Sequence, residues 1–178
     1  MNEELTVPTA ADMRALGQRL AAVLRPGDVV ILTGPLGAGK TTLTQGIGAG
    51  LRVRGPVTSP TFVIARVHPS LAAARGFGAS GPALVHADAY RLGSAVELDD
   101  LDLDADTATS VTVVEWGEGL AEGLAQDRLE ITITPAVSAV SEAEDADGGD
   151  APRMVRVTGT GERWQDIQLP PAALADRL

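Results

Sequence analysis

A chain of 178 residues, 44% of them hydrophobic, is long enough to bury one sizeable core and too short for two comfortable ones, so a single domain over residues 1–178 is expected. The absence of cysteine excludes disulfides, thiolate metal sites and cysteine nucleophiles. A net charge of −10 argues against an independent grip on a nucleic-acid backbone, which needs lysine and arginine to displace counterions, so any RNA involved is expected to be held indirectly, through partners.

The N-terminus, MNEELTVPTAAD, is acidic and lacks the apolar run of a signal peptide, and no stretch approaches the ~18 apolar residues of a membrane span. The expectation is a cytoplasmic protein with no membrane association. Thr9 followed by Asp12 reads as a helix start, and Met13, Leu16, Leu20, Val23 and Leu24 recur at helical spacing, which predicts a helix over 10–24. Arg25-Pro26-Gly27-Asp28 breaks it, and Val29–Leu32 is a short apolar run suited to a buried strand. From Lys40 to Gly50 the pattern is again helical, with Leu43, Ile47 and Leu51 as the apolar line and Gly50 as terminator.

Thr61–His68 and Ala83–Ala89 read as two strands of a hairpin, joined by a flexible loop of small residues at 69–82. Ser94, with Glu97 three residues on, suggests a short helix over 94–101. SVTVVE at Ser110–Glu115 is the next buried strand, and the alternating stretches Arg128–Thr134 and Arg153–Thr158 are expected to pair across an acidic, disordered loop at 138–151. The last ten residues carry no clear signal.

Between the strand at 29–32 and the helix at 40–50 lies Gly34-Pro35-Leu36-Gly37-Ala38-Gly39-Lys40-Thr41, which fits G-x-x-x-x-G-K-[ST] at every fixed position and in the context that motif requires. Glycines let successive N–H groups turn inward around a phosphate, the helix presents its positive end, and a lysine reaches the terminal phosphates. Gly34, Leu36, Gly37, Ala38, Gly39, Lys40, Thr41 and Thr42 are therefore the candidate nucleotide-binding residues, with the Thr41 hydroxyl as a magnesium ligand. Lys40 is the chain's only lysine against 13 arginines, so codon bias explains the scarcity but not the place of the survivor.

Guanine-specific P-loop proteins share an N-K-x-D motif; the one asparagine here is Asn2 and the one lysine is Lys40, so ATP is expected over GTP. The carboxylate that such sites need at a neighbouring strand end falls to Glu115, in VVEWGE, as the second candidate metal residue. Phe62, Tyr90 and Trp116 each stand in a polar cluster, as packed walls around a site would. His86 and Asp88 alternate on one strand face, a spacing able to orient water, whereas two histidines in the whole chain make a His-based metal centre a poor expectation.

GPLGAGKTT, VTSPTF, HADAYRL and VVEWGE follow one another in an order and spacing that resemble the TsaE family of bacterial ATPases of tRNA threonylcarbamoyladenosine biosynthesis, over roughly residues 9–135. The resemblance implies a P-loop NTPase-like, three-layer α/β fold with a central mixed, mainly parallel sheet, ATP with Mg²⁺ as ligands, weak hydrolysis alone, and association with a TsaB–TsaD-type complex. It implies a switch-like role for Ser59, Pro60 and Thr61, catalytic roles for Lys40, Thr61, Asp88 and Glu115, a further contribution from Arg91, and adenine held near Thr9. Two rival readings stand beside it: a small-molecule kinase with Asp88 as base, disfavoured because 92–127 contains no lysine or arginine for a lid, and a nucleotide sensor whose hydrolysis is incidental.

Overall fold

The computed structural model describes residues 1–60, 64–71, 81–92, 94, 97, 109–136 and 151–172. Among these, seven strands form one sheet: β1 Asn2–Val7, β2 Val29–Thr33, β3 Ala65–His68, β4 Ala83–Asp88, β5 Ser110–Glu115, β6 Arg128–Pro135 and β7 Arg153–Thr160, in the order β1-β7-β6-β2-β5-β4-β3. The central run β6-β2-β5-β4 is parallel, and the flanks β1-β7-β6 and β4-β3 are antiparallel. This is a mixed α/β sheet of the P-loop NTPase-like kind. Burial follows from it: β2 and β5 carry apolar residues at successive positions because both of their faces are covered, and Val29–Leu32 and Val111, Val113 and Val114 lose essentially all contact with solvent.

Two helices, α1 Ala10–Ala21 and α2 Lys40–Gly50, cover one face and enclose the larger core with Leu84, Val113, Ile131, Val155 and Trp164. Fully buried Leu43 and Ile47 each contribute about 1.5–3 kcal/mol of apolar burial. The other face buries Val29, Ile31, Val85 and Val114 beneath the turn and short 3-10 helix around Ala121–Leu124. Among the described residues no helix is long and apolar enough to cross a membrane.

The two helices touch backbone to backbone. A Cβ on Gly17 would stand 2.4 Å from the Leu43 carbonyl oxygen, and one on Gly46 would stand 2.2 Å from that of Arg14. One turn further on, a Cβ on Gly50 would meet the Ala21 Cβ at 2.4 Å. Pairs of small residues four apart on each helix thus set the crossing. Gly50 ends α2 as its place in the sequence suggested; its own φ is not positive, the left-handed residue being Arg52 (φ 57°), and Gly50 is small because Ala21 is there.

Other boundaries shift for local reasons. Helix α1 starts as read, on a capping box in which the Thr9 hydroxyl accepts from the Asp12 N–H at 3.1 Å, but it stops at Ala21 rather than residue 24, because Ala22 and Val23 bond back three residues and tighten the last turn. Strand β3 is described from Ala65, where the preceding Ile64 has φ 68° and donates to the Pro60 carbonyl at 2.7 Å; the first three residues of the predicted strand, 61–63, lie outside the described residues. Strand β1 had no counterpart in the sequence reading. The 128–134 and 153–158 pairing holds, extended to Pro135 and Thr160. Of the predicted 94–101 helix, the described part shows the Glu97 N–H on the Ser94 hydroxyl at 3.3 Å. The rest, with residues 72–80 of the first loop and 137–150 of the acidic one, lies outside the described residues.

The C-terminal region also holds a buried anchor. Trp164 is fully buried, and the Arg163 guanidinium lies over its ring at 4.2 Å while donating to Asp28 at 3.1 Å and to the Val23 carbonyl at 2.7 Å. That staple fixes the turn from which β2 launches.

Candidate functional site

Strand β2 ends at Thr33 and the chain enters a loop that Gly34 (φ 150°), Gly37 (φ 74°) and Gly39 (φ 107°) allow it to follow, a path that L side chains rarely adopt. Gly39 is the N-cap of α2, and no side chain caps that first turn, nor does any acidic residue stand in it. The unpaired amides of the first turn therefore remain for an anion. Lys40 folds back over the loop: its ammonium donates to the Gly34 carbonyl at 2.7 Å and to the Pro35 carbonyl at 3.0 Å, and sits 3.7 Å from the centre of the Trp116 ring.

Two parallel strands on one side of β2 bring the carboxylates. Register places Asp88 at the end of β4 directly opposite Glu115 at the end of β5, so both acids stand at the same sheet edge as the loop. Asp88 accepts from the Tyr90 N–H at 2.9 Å, which turns the chain into the 3-10 helix Ala89–Arg91. Glu115, almost fully buried, accepts at a single oxygen, Oε1, from the Thr41 hydroxyl at 2.8 Å and from the His86 Nε2 at 2.8 Å. Trp116 then leaves the strand at φ 60°, with its ring 5.1 Å from that of Tyr90.

A pocket opens among Leu36, the loop from Gly37 to Thr42, Ser59, Asp88, Glu115 and Trp116. A second hollow lies on the other side of the same loop, between Thr9, Ala10, Met13, Gly37, Ala38, Gly39, Thr42, Ala151 and Arg153. The structure thus joins Leu36, Gly37, Ala38, Gly39, Lys40, Thr41, Thr42, Asp88 and Glu115 in one site, while Gly34 lends its carbonyl and Thr9 lines the second hollow. Ser59 reaches the pocket and Pro60 is buried behind it. Thr61 and Phe62 lie outside the described residues. Arg91 is exposed on the 3-10 helix and does not line the pocket.

Burial holds the Lys40 ammonium below the ordinary lysine value, against the opposing pull of Glu115 and Asp88. Burial also lowers the His68 imidazole, helped by electrostatic coupling to His86 and Arg66 and countered by a hydrogen bond to the Arg54 backbone. Because Lys40 is charged only below its depressed pKa, anion binding at this loop should weaken on the alkaline side at a lower pH than for an ordinary lysine. Calorimetric titration with ADP across alkaline pH checks this, and a flat profile up to the ordinary lysine range would contradict it. A phosphate that draws the ammonium off Trp116 should also change the indole fluorescence.

Among the described residues no three histidines or carboxylates converge to hold a metal unaided. The donor chemistry present still fits magnesium, which takes one or two protein oxygens and completes its shell with phosphate and water. Thr41 spends its proton on Glu115 and keeps its lone pairs, while Glu115 Oε2 lies outside both hydrogen bonds. Arg153 and the role of His86 toward Glu115 were missed in the sequence. For Arg153 no local signal exists, since only the β6-β7 pairing carries it to the loop; for His86 the signal was its two-residue spacing from Asp88.

Residues 7–142 match the profile of the family described as threonylcarbamoyl adenosine biosynthesis protein TsaE. A tRNA threonylcarbamoyladenosine biosynthesis protein TsaE of Streptomyces coelicolor is 59% identical over 153 residues, covering 85% of this chain and 93% of the relative. Proteins of the same description are 52% identical in Mycobacterium tuberculosis, covering 72% and 76%, and 35% identical in Bacillus subtilis, covering 86% and 84%. The crystal structure of Bacillus subtilis YdiB superposes with a TM-score of 0.65 at 31% identity, covering 92% of this chain and 89% of that one. With the glycine loop, its lysine and the two strand-end acids standing where the motif order placed them, the chain belongs to the TsaE family.

Proposed function

We propose that this chain binds ATP with magnesium at the Gly34–Thr42 loop and hydrolyses it in support of tRNA threonylcarbamoyladenosine formation, acting with a TsaB–TsaD-type complex that holds the tRNA. The observation that carries the reading is the 2.8 Å hydrogen bond from the Thr41 hydroxyl to Glu115, because it links the phosphate loop to a strand-end carboxylate in the way a magnesium nucleotide needs. Family membership supports the pathway. The adjoining hollow at Thr9, Met13 and Arg153 supports a nucleoside end on the far side of the loop.

The chain's own groups divide the work. Amides of the loop and of the first turn of α2 bind the phosphates, and Lys40 leaves its two carbonyls to neutralise the terminal ones. Thr41 and Glu115 hold the magnesium shell; the ion, when bound, offsets charge that develops on the transferring phosphoryl group. Asp88 and Glu115 face the pocket where the attacking water is oriented. Ser59 is the described contact of the 58–62 segment with the pocket, and Thr61, outside the described residues, is assigned the switch role by the family resemblance. Among the described lining residues Lys40 is the sole cation, which does not suit a kinase that must clamp a second phosphorylated substrate.

Glu115→Gln should leave nucleotide affinity at saturating magnesium within several-fold of the wild type and reduce partner-stimulated phosphate release by ~100-fold or more, the usual effect of removing an electrostatic group from such a site. Steady-state phosphate release and a reconstituted tRNA modification assay check both halves. Undiminished repeated modification by the variant would assign the nucleotide to docking rather than hydrolysis.

A further inference from the structure

Resting on the reading above, we infer that His86 is a positioning residue for Glu115: its imidazole Nε2–H fixes the carboxylate in the orientation that serves magnesium and the attacking water. The geometry is specific. His86 stands on β4 two residues before Asp88, and β4 pairs with β5 so that His86 lies opposite Val113, one step along the same face from Glu115. Its Nε2 is 2.8 Å from Glu115 Oε1, the oxygen that also takes the Thr41 hydroxyl. As a carboxylate, Glu115 only accepts, so Nε2 carries the ring proton.

The rest of the ring argues against a packing role. His86 is fully buried, and its Nδ1 has no hydrogen-bond partner among the described residues. An apolar side chain of similar volume would fill the same space without burying an unpaired nitrogen. The polar chemistry of His86 is therefore directed at one atom of the site. Two donors from separate elements, α2 and β4, pin Oε1 and leave Oε2 outside both bonds. When the Thr41 hydroxyl turns its lone pairs toward the metal, His86 is the donor that does not have to adjust.

The test compares His86→Leu, which removes the donor, with His86→Gln, whose amide nitrogen can occupy the place of Nε2. Calorimetry with ADP at graded magnesium, and phosphate release with the partner proteins, are the two readouts. For His86→Leu the magnesium concentration needed to tighten ADP should rise by ~10-fold or more, turnover should fall by a similar factor, and magnesium-free ADP affinity should stay unchanged, as is typical when a partner behind a ligand is lost. His86→Gln should recover both. Equal losses in the two variants, or a leucine variant with wild-type magnesium dependence, would overturn the inference. Wild-type protein that binds ADP but never releases phosphate would instead defeat the hydrolysis reading, and the magnesium titration would still report on His86. Should the leucine variant not fold, ¹⁵N NMR of the wild type decides: the Nε2–H tautomer is required, and the Nδ1–H tautomer refutes the assignment.

Discussion

Lys40→Ala is expected to lower nucleotide affinity or turnover at least ~100-fold, the scale on which electrostatic groups act in such sites. Two losses coincide. The pocket gives up the one cation among its described lining residues, and the loop gives up the ammonium that ties Gly34 and Pro35 together. Lys40→Arg should not rescue, because a planar fork cannot fill the buried place of a point charge between two carbonyls and an indole ring. Calorimetry with ADP and with a non-hydrolysable ATP analogue reads the effect directly. Binding that persists in the alanine variant would move the phosphate site elsewhere.

Gly46→Ala should be among the most damaging small substitutions in the fold. The added methyl meets the Arg14 carbonyl oxygen at 2.2 Å, and a backbone atom cannot rotate aside as a side chain would. Overfilling a packed interior costs about 1–3 kcal/mol when side chains can adjust; here the helices themselves must part, so a loss of at least ~3 kcal/mol is expected. In a domain of this size that is a drop of roughly 6–12 °C in Tm. Separation also tilts the N-terminus of α2, so nucleotide affinity should fall with stability. Gly123→Ala is the control: a Cβ there meets nothing within 4 Å, and no positive φ opposes it. Stability should stay unchanged or rise by up to ~1 kcal/mol. Similar losses in both variants, measured by urea denaturation, would show that the helix crossing is not what limits Gly46.

The parts of this protein legible in its sequence are those fixed by neighbours in the chain. The bounds of α2 and β5 and most of β2 followed from apolar pattern and glycine punctuation, and the phosphate loop from its spacing alone. Asp88 and Glu115 were legible because each ends an apolar strand. What escaped depends on residues far apart. β1 pairs only with β7, more than 140 positions away, and as an edge strand it shows solvent every second residue, so NEELTV reads as a polar tail. Gly50 read only as a stop signal, because nothing local announces Ala21 as its neighbour. Trp164 gave no sign of its burial for the same reason, and the bond from His86 to Glu115 spans two strands whose register no local pattern reveals.

Strand order carries a consequence for biosynthesis. β2, which feeds the phosphate loop, is flanked by β5 and β6, and the sheet is finished by β7 and the Arg163–Asp28 staple, all downstream. A ribosome delivers the loop long before it delivers those supports. Nascent chains arrested before residue ~110 should thus be unable to retain nucleotide, and maturation must await contacts of long sequence separation, which form slowly.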